Sequence, residues 1–123
     1  MAEPERIFRE QVRAFNARDL EAFLATYAPD TELHGLLPDR VVHGHAEMRP
    51  IYEARFAQEP LHCEIHALTV FGGRWVAAHE QVVGPAGTVV LVGVFEVVDD
   101  LIVRADMTGR LPVLPEGVDT KML

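Results

Sequence analysis

Cysteine is almost absent from this sequence, since Cys63 is the only one among 123 residues. An intramolecular disulfide is therefore impossible, which favours a reducing compartment, and we expect the protein to be cytoplasmic. The apolar neighbours of Cys63 favour an inert thiol over a nucleophile.

The longest apolar run, Val89 to Phe95, is too short to cross a membrane, and the acidic start lacks the apolar segment of a signal peptide.

Basic residues are also scarce, with 11 Lys and Arg against 19 Asp and Glu and a formal net charge of −8. No basic run could neutralise a row of phosphates, so the sequence predicts no nucleic-acid or anionic-membrane partner. Glycine-rich phosphate loops, serine nucleophile elbows and CxxC pairs are absent as well. We therefore expect no nucleotide or other cofactor.

Apolar residues recur at helical spacing in three segments. The first covers residues 5–17, and the second begins after Asp19, which can cap it, and ends at "APD", residues 28–30. The third carries an apolar stripe from Met48 to Phe56. Because proline is tolerated only in the first helical turn, Pro50 predicts that this helix begins at about Glu47.

A period of two replaces the helical spacing after Pro60. Four runs joined by short turns predict an antiparallel meander, and residues 31–44 predict two short strands or a strand and a loop before it. The third run is apolar on both faces, which predicts that a second subunit covers the face opposite the helices, as a homodimer through the sheet. The four runs are residues 61–71, 74–84, 87–98 and 101–110.

The segments "FNARDLEAFLATYAPDTELHG", "VVHGHAEMRPIYEARF" and the meander resemble the nuclear transport factor 2-like superfamily, which includes ketosteroid isomerases and SnoaL-like polyketide cyclases. The resemblance implies an α+β cone, with three N-terminal helices packed on a curved antiparallel sheet that contains the four-stranded meander. It implies one domain over residues 1–111, followed by a Pro-rich tail over 112–123. Such cones enclose an apolar pocket for a small hydrophobic molecule.

Ketosteroid isomerases use an aspartate base, a tyrosine and a protonated aspartic acid. By resemblance these positions fall on Gly35, Gln11 and Gly93, so the steroid isomerase mechanism is disfavoured. A further pocket tyrosine of these enzymes matches Tyr52.

The SnoaL-like cyclases resemble this chain at "DDLIVRAD". Their acid/base aspartate matches Asp106, whereas the histidine two residues before it is replaced by Arg104. A guanidinium is always charged and cannot relay protons as an imidazole does.

The strand "WVAAHEQVV" has two faces. The resemblance implies that Trp75, His79 and Gln81 face the pocket, with Glu80 on the other side near the dimer surface. His79 and Asp106 could then meet across the cavity as an acid/base pair. Alternatively, His79 bonds to a neighbour and Asp106 pairs with Arg104.

The resemblance thus implies a cofactor-independent isomerase, cyclase or lyase that transfers a proton next to a carbonyl of a small hydrophobic metabolite. Asp106 and His79 are the candidate catalytic residues. The alternative is a non-catalytic ligand-binding or interaction module of the same fold. The candidate substrate contacts are Tyr52, Gln81, Gln11, Trp75, Phe56 and Arg104.

A third interpretation is a metal-dependent enzyme that uses some of the six histidines. "HGH", residues 43–45, resembles the ligand spacing of cupins, and His62, Glu64 and His66 share one strand face. Cupins are all-β, however, and this chain opens with helices. We therefore expect no metal site.

Overall fold

Three helices pack on one face of a six-stranded sheet in the computed structural model, which describes residues 3–112 and their side chains as far as Met107. The strand order in the sheet is β2-β1-β6-β5-β4-β3. This architecture confirms the predicted α+β class and the meander, although the strands number six in the described chain. The elements are α1 (Glu3–Ala17), α2 (Leu20–Ala25), β1 (Tyr27–His34), β2 (Val42–His43), α3 (Gly44–Phe56), β3 (His62–Phe71), β4 (Trp75–Gly84), β5 (Gly87–Val98) and β6 (Leu101–Pro112).

The second helix is shorter than predicted. Asp19 caps it as expected, because its side chain accepts a hydrogen bond of 3.1 Å from the backbone N–H of Ala22. The helix ends at Ala25, and Tyr27 opens a strand instead of completing the apolar stripe. Tyr27 is only 1% exposed and lies beside Ile102 in a parallel pairing of β1 with β6, so sheet pairing outweighs the helical pattern.

The third helix begins three residues before the predicted start and contains Pro50 in its interior. Gly44 begins it with a φ of +69°, and a Cβ at this position would lie 2.6 Å from the carbonyl oxygen of Pro29. The carboxylate of Glu47 accepts a hydrogen bond of 3.0 Å from the backbone N–H of His43. This bond satisfies one of the free donors at the helix start and so stabilises the early first turn.

The faces of the meander are fixed by its register. Glu80 of β4 pairs with Leu91 of β5, and Ala78 pairs with Gly93, so these four residues share the face that packs against the helices. We call this the inner face and the opposite one the outer face.

No helix in the described part of the chain is long and apolar enough to cross a membrane.

An aromatic cluster joins the helices beneath the sheet. The ring of Phe23 lies 4.5 Å from Tyr52 and 5.4 Å from Phe56, measured between centroids, and Phe15 lies 5.5 Å from Phe56. Such pairs each contribute about 0.5 to 1.5 kcal/mol beyond the burial of their area. The cluster holds α1, α2 and α3 at fixed positions and so provides a rigid floor for the space under the sheet.

Candidate functional site

A small cavity lies between the helices and the inner face of the sheet. Its volume is about 60 Å³, and its lining is mostly apolar. An outer cleft of about 330 Å³ lies at the β4–β5 turn and shares Arg55, Val82 and Val89 with the cavity. The two spaces together form one candidate site. The cavity is lined by Gln11, Val12, Phe15, Leu36, Tyr52, Arg55, Cys63, Glu80, Val82, Val89, Leu91, Phe95 and Met107.

Glu80 is the acidic residue of the cavity wall, and it is only 6% exposed. Burial raises the pKa of its carboxyl group, because the charged form loses its hydration, and a hydrogen bond from Cys63 partly opposes the rise. The Cys63 thiol donates this bond to Oε1 of Glu80 over 3.2 Å. Burial, followed by the negative charge of Glu80, also raises the pKa of Cys63, so this residue is a thiol donor and not a thiolate nucleophile.

Gly93 provides the space that the Glu80 carboxyl group uses. A Cβ built at this glycine would lie 2.8 Å from Oε2 of Glu80 and 2.7 Å from Cε1 of Phe95. The resemblance placed the protonated acid of the ketosteroid isomerases at position 93. The structure has a different carboxyl group next to this position, that of Glu80 on the neighbouring strand. At Gly35, the position of the isomerase base, a Cβ would lie 2.1 Å from the Met107 carbonyl oxygen, and no side chain fits there.

Gln11 brings an amide group to the cavity wall from α1. Its Nε2 donates a hydrogen bond of 3.1 Å to the hydroxyl of Tyr27, whose pKa is raised well above its ordinary value, mainly by burial. The amide Oε1 of Gln11 is buried and has no hydrogen-bond partner within residues 3–112. A buried acceptor without a donor costs about 1 to 3 kcal/mol, so a hydroxyl or N–H group of a ligand would be stabilised here. Tyr52 lines the same cavity from α3.

The predicted orientation of β4 is wrong. His79 is exposed on the outer face, where its ring lies 5.3 Å from that of His66, and Gln81 is half-buried on the same side. Trp75 also belongs to this outer set, whereas Glu80, which was predicted to point outward, lines the cavity. The hydrophobicity of the strand indicates the correct orientation: Val76, Ala78 and Val82 share a face with Glu80, and burying this more apolar set stabilises the fold more.

Asp106 is also on the outer face, because its neighbours Ala105 and Met107 point toward the core and the cavity. Its carboxylate accepts a hydrogen bond of 2.9 Å from Nε of Arg104, which is the alternative pairing considered from the sequence. His79 and Asp106 therefore do not meet across the cavity. Their catalytic roles stay predictions that the geometry does not favour.

Of the six predicted substrate contacts, the structure brings Tyr52 and Gln11 to the cavity. Phe56 is buried in the aromatic cluster beneath it, and Trp75, Gln81 and Arg104 lie on the outer face. Sequence reasoning missed Glu80, Cys63 and Arg55 as members of the site. The sequence could not predict that Cys63 and Arg55 share a site, because they lie on different elements that only the fold brings together.

The histidines do not converge. Among residues 3–112, no group of three or more His, Cys, Asp or Glu side chains is placed to hold a metal ion. In the "HGH" segment, Nε2 of His45 lies 2.8 Å from the carbonyl oxygen of Tyr27, which indicates a structural hydrogen bond. The described geometry therefore offers no support for the metal-dependent interpretation.

A helix-covered sheet with a mainly apolar cavity and a few polar groups is typical of small-molecule pocket proteins. The sequence itself matches the SnoaL-like domain family over residues 8–105, and the chain belongs to this family. This result confirms the predicted resemblance. A search of curated proteins gives no significant match.

Solved structures share the fold. A SnoaL-like protein of unknown function from Burkholderia thailandensis E264 is 27% identical, with a TM-score of 0.71, and the match covers 88% of this chain and 94% of that one. The epoxide hydrolase/cyclase-like enzyme SalBIII, described in pyran ring formation in the polyether salinomycin, is 18% identical, with a TM-score of 0.74 over 85% of this chain and 88% of that one. A computationally designed 17-OHP binder is 16% identical, with a TM-score of 0.79 over 90% and 93% of the two chains.

Proposed function

We propose that the cavity binds a small hydrophobic carbonyl compound and that Glu80 moves a proton next to the carbonyl group. The reaction would be a cofactor-independent isomerisation, cyclisation or elimination. The observation that carries this proposal is the Glu80 carboxyl group, which is buried in the cavity with a raised pKa. An acid/base catalyst is most effective when its pKa lies near the working pH, and burial moves a carboxyl group in that direction.

For an isomerisation, the deprotonated carboxylate of Glu80 removes the proton from the carbon beside the carbonyl, and the electron pair of that C–H bond moves toward the carbonyl oxygen. In a substrate with a carbon–carbon double bond one position further along, the product of this step is a dienolate, and the neutral carboxyl group returns the proton to the far carbon of that double bond. The electron pair on oxygen then re-forms the carbonyl, and the carbon–carbon double bond moves next to it. The Tyr52 hydroxyl is a candidate hydrogen-bond donor to that oxygen while it carries negative charge. The mainly apolar lining lowers the local dielectric constant relative to water, which strengthens both interactions.

The structural neighbours support a small-molecule role for the fold. One is an epoxide hydrolase/cyclase-like enzyme and another is a designed binder, so the same architecture accommodates both catalysis and simple binding. A non-catalytic binding module is therefore the competing function. The buried carboxyl group favours the catalytic function, because simple binding of an apolar ligand has no need of a buried acid.

Hydrogen exchange in D₂O tests the catalytic role directly. We expect the protein to accelerate exchange of deuterium into the carbon beside the carbonyl for some members of a panel of small cyclic and aryl ketones, followed by NMR. Replacing the carboxyl group in Glu80→Gln should reduce this rate by a factor on the order of 100 or more. Glu64→Gln is the matched control, because Glu64 lies on the neighbouring strand with a side chain that is 63% exposed.

Asp106→Asn separates this proposal from the sequence-based one. We expect this variant to retain the exchange rate, since Asp106 is paired with Arg104 on the outer face. Loss of exchange in Asp106→Asn, with full activity in Glu80→Gln, would contradict the role of Glu80. Ketones that bind the cavity and undergo no accelerated exchange would favour the binding module.

We also propose that two copies associate through the outer face, within the cytoplasm. Phe71 and Val92 are 48% and 43% exposed there, and β5 adds half-buried Val90 and Val94. Burying such residues against a second copy would stabilise a dimer. The ion pair of Arg104 and Asp106 lies on the same outer face and would be near that interface.

A further inference from the structure

Arg55 differs from the other arginines whose side chains the structure describes. Within residues 3–112, no carboxylate oxygen lies within 4.0 Å of its guanidinium group, although the chain carries an excess of acidic residues. Each of the others has an acidic partner within that distance, so the free positive charge of Arg55 is a local feature and not a general property of this surface. The paired arginines are Arg6, Arg9, Arg13, Arg18, Arg40, Arg49, Arg74 and Arg104.

The position of Arg55 links the outer cleft to the cavity. Among the described residues that line the cleft it is the only charged one, and it also lines the inner cavity together with Glu80. The remaining cleft residues are Gln58, Val82, Gly84, Pro85, Ala86, Gly87 and Val89.

The Arg55 side chain is half-buried, with its guanidinium carbon 5.8 Å from the centre of the Phe15 ring. Contact with an aromatic face restricts the guanidinium without using its N–H donors. Its charge also reaches the cavity wall, since it opposes the rise in the Cys63 pKa that burial and Glu80 cause. A restrained cation at the junction of two spaces, whose N–H donors have no acceptor in the part of the chain that the structure describes, is suited to bind an anion.

We infer that Arg55 binds a single carboxylate group of the ligand in the outer cleft, while the apolar remainder of the ligand extends into the cavity toward Glu80 and Gln11. This inference rests on the proposed function for the identity of the site and adds the class of compound, a small hydrophobic carboxylic acid that also carries a carbonyl or hydroxyl group. One guanidinium neutralises one negative charge and matches a carboxylate with two parallel N–H bonds. The buried Oε1 of Gln11 accepts a hydrogen bond from a hydroxyl at the other end of the ligand.

Glu80 is compatible with a negatively charged ligand in the same site. Its raised pKa means that the neutral form persists to higher pH than in an exposed glutamate, which reduces repulsion of an incoming carboxylate; only the fraction of the group that is deprotonated acts as the base of the proposed reaction. A phosphate ester would bring a second negative charge, and among the described residues that line the two spaces Arg55 is the only cation. The lining thus favours a monoanion.

Paired probes test the inference without knowledge of the natural ligand. Octanoate, benzoate and 3-phenylpropanoate are each titrated against their neutral amides by two-dimensional NMR of the ¹⁵N-labelled full chain. We expect at least one carboxylate to bind about 10- to 100-fold more tightly than its amide, as for a hydrogen bond to a charged group. In Arg55→Gln this preference should disappear. The matched control is Arg49→Gln, which removes the same charge from an exposed, ion-paired position on α3 and should keep the preference.

Three outcomes would overturn the inference: equal binding of acid and amide by the unmodified protein, an unchanged preference in Arg55→Gln, or no binding of any of the three carboxylates at millimolar concentration. Arg55→Lys retains the charge and should retain part of the preference. The result is independent of catalysis. Carboxylate binding that requires Arg55, with no exchange activity, would retain the anion site and reject the proposed proton transfer. Accelerated exchange in ketones, with no preference for carboxylates over amides, would retain the proposed proton transfer and reject the anion site.

Discussion

The buried carboxyl group of Glu80 should make the stability of the protein depend on pH with a predictable sign. Its folded-state pKa is raised above the ordinary value of 4.5, so the folded state binds a proton that the unfolded state has released over the interval between the two values. The contribution of Glu80 to the free energy of unfolding is therefore fully present below pH 4.5 and is lost as pH rises through the folded-state pKa. Within that interval the contribution falls by about 1.4 kcal/mol for each pH unit.

Glu80→Gln isolates this contribution. Glutamine has nearly the same shape and keeps an oxygen that can accept the Cys63 hydrogen bond, but it cannot ionise. We expect the free energy of unfolding of the variant, relative to that of the unmodified protein, to increase as pH rises above 4.5, with a slope of at most about 1.4 kcal/mol per pH unit, and to level off above the folded-state pKa.

Urea denaturation at closely spaced pH values between 4 and 8 measures this difference. Because the other ionisable groups are common to both proteins, their contributions cancel in the comparison. Glu64→Gln is again the control, and its difference should change little with pH, because the Glu64 side chain is mostly exposed. A constant difference for Glu80→Gln, or one that falls as pH rises, would refute the assignment of Glu80 as a buried acid.

Two further predictions concern the sheet. Gly93→Ala introduces a Cβ 2.7 Å from Phe95 and 2.8 Å from Glu80. We therefore expect the free energy of unfolding, measured by urea denaturation, to fall by about 1 to 3 kcal/mol, and the pH dependence that Glu80 causes to become smaller. Full stability with an unchanged pH dependence would contradict the described packing. Val92→Lys should convert a dimer into a folded monomer by sedimentation equilibrium, with an unchanged circular dichroism spectrum. A monomeric unmodified protein would reject the proposed outer-face dimer.

The fold could be predicted from local patterns to a large extent. The meander strands begin and end within about two residues of the predicted limits, because alternation and short glycine-containing or acidic turns act over a few residues. The start of α3 and the end of α2 could not be predicted in this way. Close approach of Gly44 to Pro29 and pairing of Tyr27 with β6 decide them, and both are contacts between distant parts of the chain.

The candidate site was harder to predict than the fold. Gln11 and Tyr52 were identified by resemblance to enzyme positions, and both line the cavity. His79 was placed inward by the same resemblance, and a change of one residue in the matched position reverses every side chain of a strand. The more apolar set that contains Glu80 carried the correct information, because burial of hydrophobic area determines which face packs against the helices.

The sequence by itself determined the α+β order of elements, the absence of disulfides, the lack of basic runs and the two alternating faces of "AAHEQVV". Only the tertiary structure decided that Glu80 faces the cavity, that Asp106 pairs with Arg104 on the other side, and that Arg55 remains without an acidic partner among the described residues. The physical reason is that periodicity depends on neighbours along the chain, whereas burial, pKa and charge pairing depend on groups that the fold brings together from different elements.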